Sequence, residues 1–415
     1  MVIYMLKKFD REKVFRDPIY GYIRVEYELI AKLIDTYEVQ RLRRIRQLSG
    51  VSLVFQTAEH SRFTHSLGAY ELARLCIETV EGLKSSLTEY EQLVFLSSAL
   101  LHDIGHGPYS HAFEHTIHIS HEEMSCKLIL GNTEVNAVLS EVEGLASDVE
   151  SVIAHRGKYP LIESLISSQL DIDRMDYLSR DAYMTGATYG NIDYRRILRS
   201  MKVVDNKIVF RASGVNSIES YIMARYHMYW QVYFHPTARA YELLLQSIYL
   251  RIADLTNQNI KINTNVDALV NVIKNHNDLE DYVLIDDSYV NGMIKQLTQA
   301  DDEILRDLAI SFEKRKLYNY VEIDSNEQYE EVLKIKNEMK PEYQKYYFIE
   351  NKVSQTAYLH VATNDEYDIN DIKVINSDNT ISSLEDVSPI INGLISSATK
   401  TSKRIFYKEP LCLIK

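Results

Sequence analysis

LLHDIGHGPYSH, residues 100–111, sets three histidines and an aspartate at the end of an apolar run, then breaks the chain with two glycines and a proline. Histidine and aspartate bind divalent cations well, and they are equally ordinary polar residues at a helix end. Within this stretch the two readings stand level. Upstream, TEYEQLVFLSSALLHDIG (88–105) opens with Thr88 and Glu91 at capping-box spacing and is apolar almost all round. That pattern predicts a buried helix delivering His102 and Asp103 at its end. Gly105 and Gly107 permit tight backbone turns just beyond it.

A divalent site needs three or four ligands converging from different elements. His65 lies on an earlier predicted helix, in RFTHSLG, with Ser61 as its N-cap; Asp173 lies on a later one, in LDIDRMDYLSRD. His65, His102, Asp103 and Asp173 together make two imidazoles and two carboxylates. Such a set suits Mg²⁺, Mn²⁺, Fe or Zn²⁺ and leaves positions for water and substrate. Asp173, Tyr177 and Asp181 follow at i, i+4 and i+8, so they share one helix face.

The bulk composition narrows the function classes. The chain has 415 residues with 46% hydrophobic and 25% charged residues, the profile of a soluble globular protein with room for a sizeable core. Net charge is −13, so phosphates must be met by local basic clusters or metals and not by the whole surface. Cys76, Cys126 and Cys412 are too scattered for a disulfide framework or a cysteine zinc site, which fits a cytoplasmic setting. The N-terminus has no signal-peptide core, and no stretch approaches the roughly 18 apolar residues that cross a bilayer.

Only 7 prolines and 14 glycines suggest long helices. Residues 15–27 read as a turn and a short extended piece, 28–48 as a helix and 51–58 as extended. Residues 161–184 carry helical spacing, 203–211 read as a hairpin around Asp205-Asn206, and 218–255 as a long helix broken near Pro236. Beyond about residue 318 the composition shifts toward Asn, Asp, Ser, Tyr and Lys, with β-like runs at 346–351, 356–362 and 404–408. The expected fold is mainly α: a helical core over 1–315 and a smaller α+β region over 316–415.

The chain also resembles the HD-domain phosphohydrolase superfamily, and within it the deoxynucleoside triphosphate triphosphohydrolases. The resemblance rests on RDPIYGYI (16–23), DTYEVQRLRRIRQL (35–48), AEHSRFTHSLG (58–68), LLHDIGHGPYSHAFEH (100–115), SHEE (120–123), LDIDRMDYLSRD (170–181) and ARYHMYWQVYFH (224–235). These stretches run in the family's order. The resemblance implies that His65, His102, Asp103 and Asp173 hold the metal, one of Mg²⁺, Mn²⁺, Fe, Ni²⁺ or Zn²⁺. It implies catalytic roles for His106, His111, Glu114, His121 and Glu122 beside the phosphate nearest the sugar. Arg62, Arg174 and Arg225 would meet the phosphates, since the guanidinium fork suits phosphate oxygens. Gln47, Leu48, Tyr177, Asp181 and Tyr233 would form the sugar pocket, with an aromatic floor that disfavours a 2′-hydroxyl.

QRLRRIRQL carries Arg41, Arg43, Arg44 and Arg46, a run that by itself reads as a solvated helix face or a nucleic-acid contact without interleaved aromatics. The resemblance implies instead that Asp35, Gln40, Arg43 and Arg196 bind dGTP or GTP as an activator at a subunit interface, with a homotetramer or dimer as the consequence. The expected activity is hydrolysis of a dNTP to deoxynucleoside and inorganic triphosphate, with no membrane or nucleic-acid partner. Two rivals stand beside it: an HD phosphohydrolase or phosphodiesterase acting on another nucleotide, and a nucleotide-sensing or single-strand nucleic-acid-binding protein with little catalysis.

Overall fold

A computed structural model describes residues 7–355, 371–395 and 400–408. Its centre is the helix Glu89–Leu101. Thr88 accepts from the Glu91 amide while the Glu91 carboxylate accepts from the Thr88 amide, closing the capping box reciprocally. Every residue from Leu93 to Leu101 is buried, as an all-round apolar sequence requires. This helix packs on Arg62–Thr79, which packs in turn on Ile172–Thr185. The three helices that carry or deliver His65, His102, Asp103 and Asp173 are therefore the inner layer of the fold, which is mainly α.

Beyond Leu101 the chain turns sharply and runs against the helix His121–Leu130. The Ser125 hydroxyl accepts from the Gly105 amide at 2.9 Å and donates to the His102 carbonyl at 2.8 Å. A Cβ on Gly105 would lie 2.1 Å from the His121 carbonyl oxygen and 2.3 Å from the Ser125 nitrogen. Only glycine lets the loop seat here.

Several expected elements are interrupted. Residues 28–48 form a helix only at Glu28–Asp35 and Tyr37–Arg41, followed by a 3-10 turn. The stretch 51–58, expected to be extended, begins with a 3-10 turn at Val51–Leu53. The spacing over 161–184 is split into Pro160–Ile166 and Ile172–Thr185, because Asp171 caps the second helix by accepting from the Arg174 amide at 2.7 Å. The long C-terminal helix of the core divides into Val215–Met228, a π turn at Tyr229–Tyr233, and Pro236–Asn257 with Pro236 at its first position.

Strands are short and peripheral. β1 (Lys8–Asp17) and β2 (Gly21–Tyr27) form an antiparallel hairpin that extends the expected piece toward the N-terminus, to Lys8, and ends with it at Tyr27. β3 (Met201–Val204) and β4 (Lys207–Arg211) form the predicted hairpin, with Asp205 at φ +48° and Asn206 at φ +59°, the backbone of a tight two-residue turn. β5 (Asn319–Glu322), β6 (Phe348–Gln355) and β9 (Lys400–Tyr407) make an antiparallel sheet in the order β5-β9-β6. β7 (Lys373–Ile375) crosses to the core and pairs in parallel with β4, with β8 (Ile381–Ser383) beyond it. The run expected at 356–362 lies outside the described residues.

The C-terminal segment is tied to the core largely by tyrosine. Tyr318, Tyr343, Tyr346 and Tyr347 are buried in the main apolar cluster. The Tyr318 hydroxyl reaches Ser247 on the helix Pro236–Asn257 at 2.9 Å. Tyrosine serves there because one end packs while the other finds a hydrogen bond. Among the described residues no helix is long and apolar enough to cross a membrane.

Candidate active site

His65 is fully buried on the helix Arg62–Thr79. Its Nδ1 faces Asp176 Oδ2 at 2.8 Å, and its Nε2 lies 3.1 Å from Asp173 Oδ1 and 3.6 Å from Asp103 Oδ2. His102 caps the central helix. Its Nδ1 donates to the Ala99 carbonyl at 2.9 Å, which leaves the Nε2 lone pair pointing at Asp103 Oδ1 (3.4 Å) and Asp173 Oδ1 (3.5 Å). A carbonyl only accepts, so the tautomer of His102 is decided by its own helix. Both Nε2 atoms are buried and make no hydrogen bond. One ligand atom each from His65, His102 and Asp173 falls within a 4.8 Å cluster, and Asp103 borders it.

The electrostatics of this cluster favour added positive charge. Burial opposes protonation of His65, yet Asp173, Asp176 and Asp103 outweigh it and push the imidazole up to about 10. His102 is raised despite its burial by Asp103 and Asp173. Asp103 and Asp173 are held well below the usual carboxylate range despite burial, Asp103 by His102, His106 and Arg62 and Asp173 by His102 and His65. Nε2 atoms that converge with ionised carboxylates, and Nδ1 atoms anchored from behind, are what a divalent cation asks of its ligands. The donor set fits such an ion.

Asp103 also belongs to a second group, with His106 and His121. The His106 and His121 rings stack with centroids 3.8 Å apart and planes 13° apart. Glu114 Oε1 lies 3.1 Å from His106 Nδ1 and 3.2 Å from His121 Nδ1. Arg62 donates Nη1 to Asp103 Oδ2 at 2.6 Å and Nε to the Ser110 hydroxyl at 3.0 Å. The stacked pair is divided electrostatically. Burial and the Arg62 charge bring His106 down to about 4, whereas Glu114 raises His121 against its burial.

A cavity of about 300 Å³ opens over these groups. Asp103, His106, His121, Asp173 and Arg62 line it, together with Gln47, Leu48, Tyr177, Asp181 and Tyr233. Asp181 accepts from the Tyr233 hydroxyl at 2.8 Å and faces His60 Nε2 at 2.8 Å. Tyr177 and Tyr233 meet edge to face at 6.2 Å. Ser49, Val51, Ser110, Tyr229, Phe234, Arg239 and Glu242 also line the cavity and escaped the reading of the sequence. Tyr229 and Phe234 reach it because the π turn shifts the helical register, and Arg239 and Glu242 form an i,i+3 ion pair on the following helix. A second cavity, of about 220 Å³ between β4 and residues 164–170, is lined by none of the candidate residues.

Other expected residues sit differently. Arg174 is bound to Asp171 and to the Ser168 carbonyl. Arg225 lies over the Tyr229 ring at 5.8 Å, with Nε buried and unpaired. Neither lines the cavity. Glu122 is exposed, so the carboxylate against His121 is Glu114. The side chain of His111 lies outside the described residues.

In the arginine cluster, Arg41 is fully buried and donates to the His106 carbonyl at 2.8 Å and to the Ile285 carbonyl. Arg44 pairs with Asp286, and Arg46 with Glu59. Arg43 is exposed, bonded to Gln40 Oε1 at 2.7 Å and stacked 3.6 Å over Phe63. Asp35 is exposed beside Thr36 and Glu134. Arg196, also exposed, bonds to the Ser213 carbonyl at 3.0 Å.

The comparisons with known proteins agree with this arrangement. The HD domain family matches residues 62–181 and the HD associated region matches 192–286. The uncharacterized protein YwfO of Bacillus subtilis is 40% identical, over 97% of this chain and 94% of its own length. A Dictyostelium discoideum protein, described as a deoxynucleoside triphosphate triphosphohydrolase SAMHD1 homolog, is 27% identical over 75% of this chain and 60% of its own. Among solved structures, a phosphohydrolase from Bacteroides thetaiotaomicron superposes with a TM-score of 0.82 at 29% identity, covering 96% of this chain and all of that one. Matching in sequence and in fold, the chain belongs to the HD-domain family that includes YwfO and is a metal-dependent phosphohydrolase.

Proposed function

We propose that the protein hydrolyses dNTPs to deoxynucleoside and inorganic triphosphate. The observation that carries this reading is the continuity of one cavity, from Asp103 and Asp173 at the metal-capable end to Tyr177, Asp181 and Tyr233.

His65, His102, Asp103 and Asp173 are the residues that would hold the cation. When bound, a divalent ion at such a set neutralises phosphate charge and lowers the pKa of a bound water. The protein's own groups do the rest. Arg62, oriented by Asp103 and Ser110, offers its remaining donors to the phosphate oxygens. Arg174, held by Asp171, and Arg225, over the Tyr229 ring, would have to swing out of these contacts to add charge for the distal phosphates. His106, His121 and Glu114 form one hydrogen-bonded unit from which a proton can pass to the leaving sugar oxygen, with His111 and Glu122 as the family's additional participants. Asp181, Gln47 and Leu48 seat the sugar. The Tyr177 and Tyr233 rings crowd the position of a 2′-hydroxyl, which supports a deoxyribose preference.

The pairing of Gln40 with Arg43 supports a guanine-nucleotide activator contact near Asp35, with Arg196 contributing from a second element and a homotetramer or dimer bringing the contacts together. We read the chain as an HD core over 1–315 closed by an α+β region over 316–415.

The deciding experiment incubates purified protein with Mg²⁺ or Mn²⁺ and each dNTP, with and without dGTP or GTP, and identifies the products. Tripolyphosphate with deoxynucleoside supports the proposal. Stepwise orthophosphate release points to the other-nucleotide phosphohydrolase, and no turnover under any metal and activator points to a sensor or binding protein.

A further inference from the structure

The hairpin turn RDPIYGY has no part in the chemistry above, yet it is wired to it. Asp17, at the end of β1, accepts from the amides of Ile19 (2.8 Å) and Tyr20 (3.0 Å) through Oδ1, which locks its carboxylate to the turn. Its other oxygen accepts from Arg180 Nη1 at 2.8 Å, across 163 positions of sequence. Arg180 grips Asp176 with Nε at 3.0 Å and Nη2 at 2.9 Å. Asp176 receives two more bonds, from the Tyr20 hydroxyl at 2.7 Å and from His65 Nδ1 at 2.8 Å. Asp17, Arg180, Asp176 and His65 are all at most 5% exposed.

A buried ion pair is weak evidence for stability, because apolar replacements often serve as well. This one has a directional consequence. A carboxylate only accepts, so the contact makes Nδ1 of His65 the protonated nitrogen and turns the Nε2 lone pair toward Asp173 and Asp103. Asp176 in turn has no freedom, since four donors hold its two oxygens. The helix carrying His65 is shaped for the pair: a Cβ at Gly68 would lie 1.8 Å from Asp176 Oδ1 and 2.4 Å from Arg180 Nη2.

We propose that Asp17 is a positioning residue for the metal centre: acting through Arg180 and Asp176, it holds His65 in the tautomer and orientation that present Nε2 to the cation. This rests on the reading of His65 as a metal ligand.

The test titrates metal-stripped full-length protein with Mn²⁺, followed by electron paramagnetic resonance, for wild type, Asp17→Asn, Asp176→Asn, Arg180→Lys and His65→Ala. Asp302→Asn is the control. Asp302 pairs with Arg251 and caps a helix, and it shares no partner with the chain of bonds to His65. Asp176→Asn weakens Mn²⁺ binding by about 10- to 100-fold, as loss of a partner behind a ligand does elsewhere. Asp17→Asn weakens it in the same direction, and raising Mn²⁺ restores its turnover. Asp302→Asn loses thermal stability without losing affinity. Folded Asp17→Asn with wild-type affinity overturns the proposal. If Asp17→Asn does not fold, Arg180→Lys, which removes the Nη1 contact to Asp17, decides: weaker binding supports the proposal and unchanged binding overturns it. Absent binding in wild type, or full binding in His65→Ala, overturns the metal centre itself and the proposal with it.

Discussion

His106 and His121 lie flat against each other, 3.8 Å between centroids, with the Glu114 carboxylate within 3.2 Å of the Nδ1 of each. Two imidazoles sharing one carboxylate cannot be equivalent. Arg62 and burial keep His106 neutral while Glu114 favours the proton on His121.

Replacing Glu114 by Gln removes the charge that organises this pair while keeping its shape. Turnover falls by about 10²-fold, within the range for loss of a proton-transfer group, and Mn²⁺ affinity does not change. Steady-state kinetics beside a metal titration check this. Wild-type kcat in Glu114→Gln would remove Glu114 from the chemistry.

His102→Ala and Asp103→Ala each take one ligand from the cluster. Both variants lose bound metal, measured by elemental analysis after gel filtration, and both lose turnover. Full activity in either variant removes that residue from the metal site.

Tyr177→Ala opens the floor of the sugar pocket beside Tyr233 and Asp181. The ratio of kcat/KM for dNTP over the matching NTP narrows about tenfold, the scale on which pocket shape discriminates small groups. Tyr233→Phe keeps the ring and loses the bond to Asp181, so it raises KM and preserves most of the discrimination. A ratio unchanged in Tyr177→Ala would place the sugar elsewhere.

Asp287 accepts from the amides of Arg46 (2.9 Å) and Tyr109 (3.0 Å), pinning two pocket-bearing loops to the helix Asp287–Leu297. Burial nonetheless raises its pKa from 3.8 to about 6. The folded value lies above the unfolded one, so its contribution to stability is complete below pH 4 and is lost as pH rises through about 6. The loss amounts to about 3 kcal/mol. Asp287→Asn cannot titrate, so the stability difference between wild type and variant moves in the variant's favour from pH 4.5 to 7.5 in urea unfolding. Parallel curves would refute the assignment.

Local patterning carried much of the architecture. The Thr88–Glu91 box and the apolar run behind it specify a buried helix ending at His102. Asp205-Asn206 specifies the tight hairpin, because both residues tolerate positive φ. Pro236 specifies a break. Elsewhere periodicity ran through real interruptions. Nothing in 161–184 announces that the Asp171 side chain will cap a new helix, and the π turn at 229–233 has no sequence period of its own.

The site divides along the same line. The chemical types of the metal-capable residues, and the shared face of Asp173, Tyr177 and Asp181, are properties of sequence and spacing alone, so they were legible before any fold was known. Which carboxylate meets His121 depends on where two helices cross, and it is Glu114 and not Glu122. Asp17 and Arg180 are distant in sequence and ordinary in type, and only the packing of the β1–β2 hairpin brings one to the other and both to the back of His65. Residue identity sets which ligands are possible. Tertiary packing, by burying their partners where water cannot compete, decides which of them are held in place.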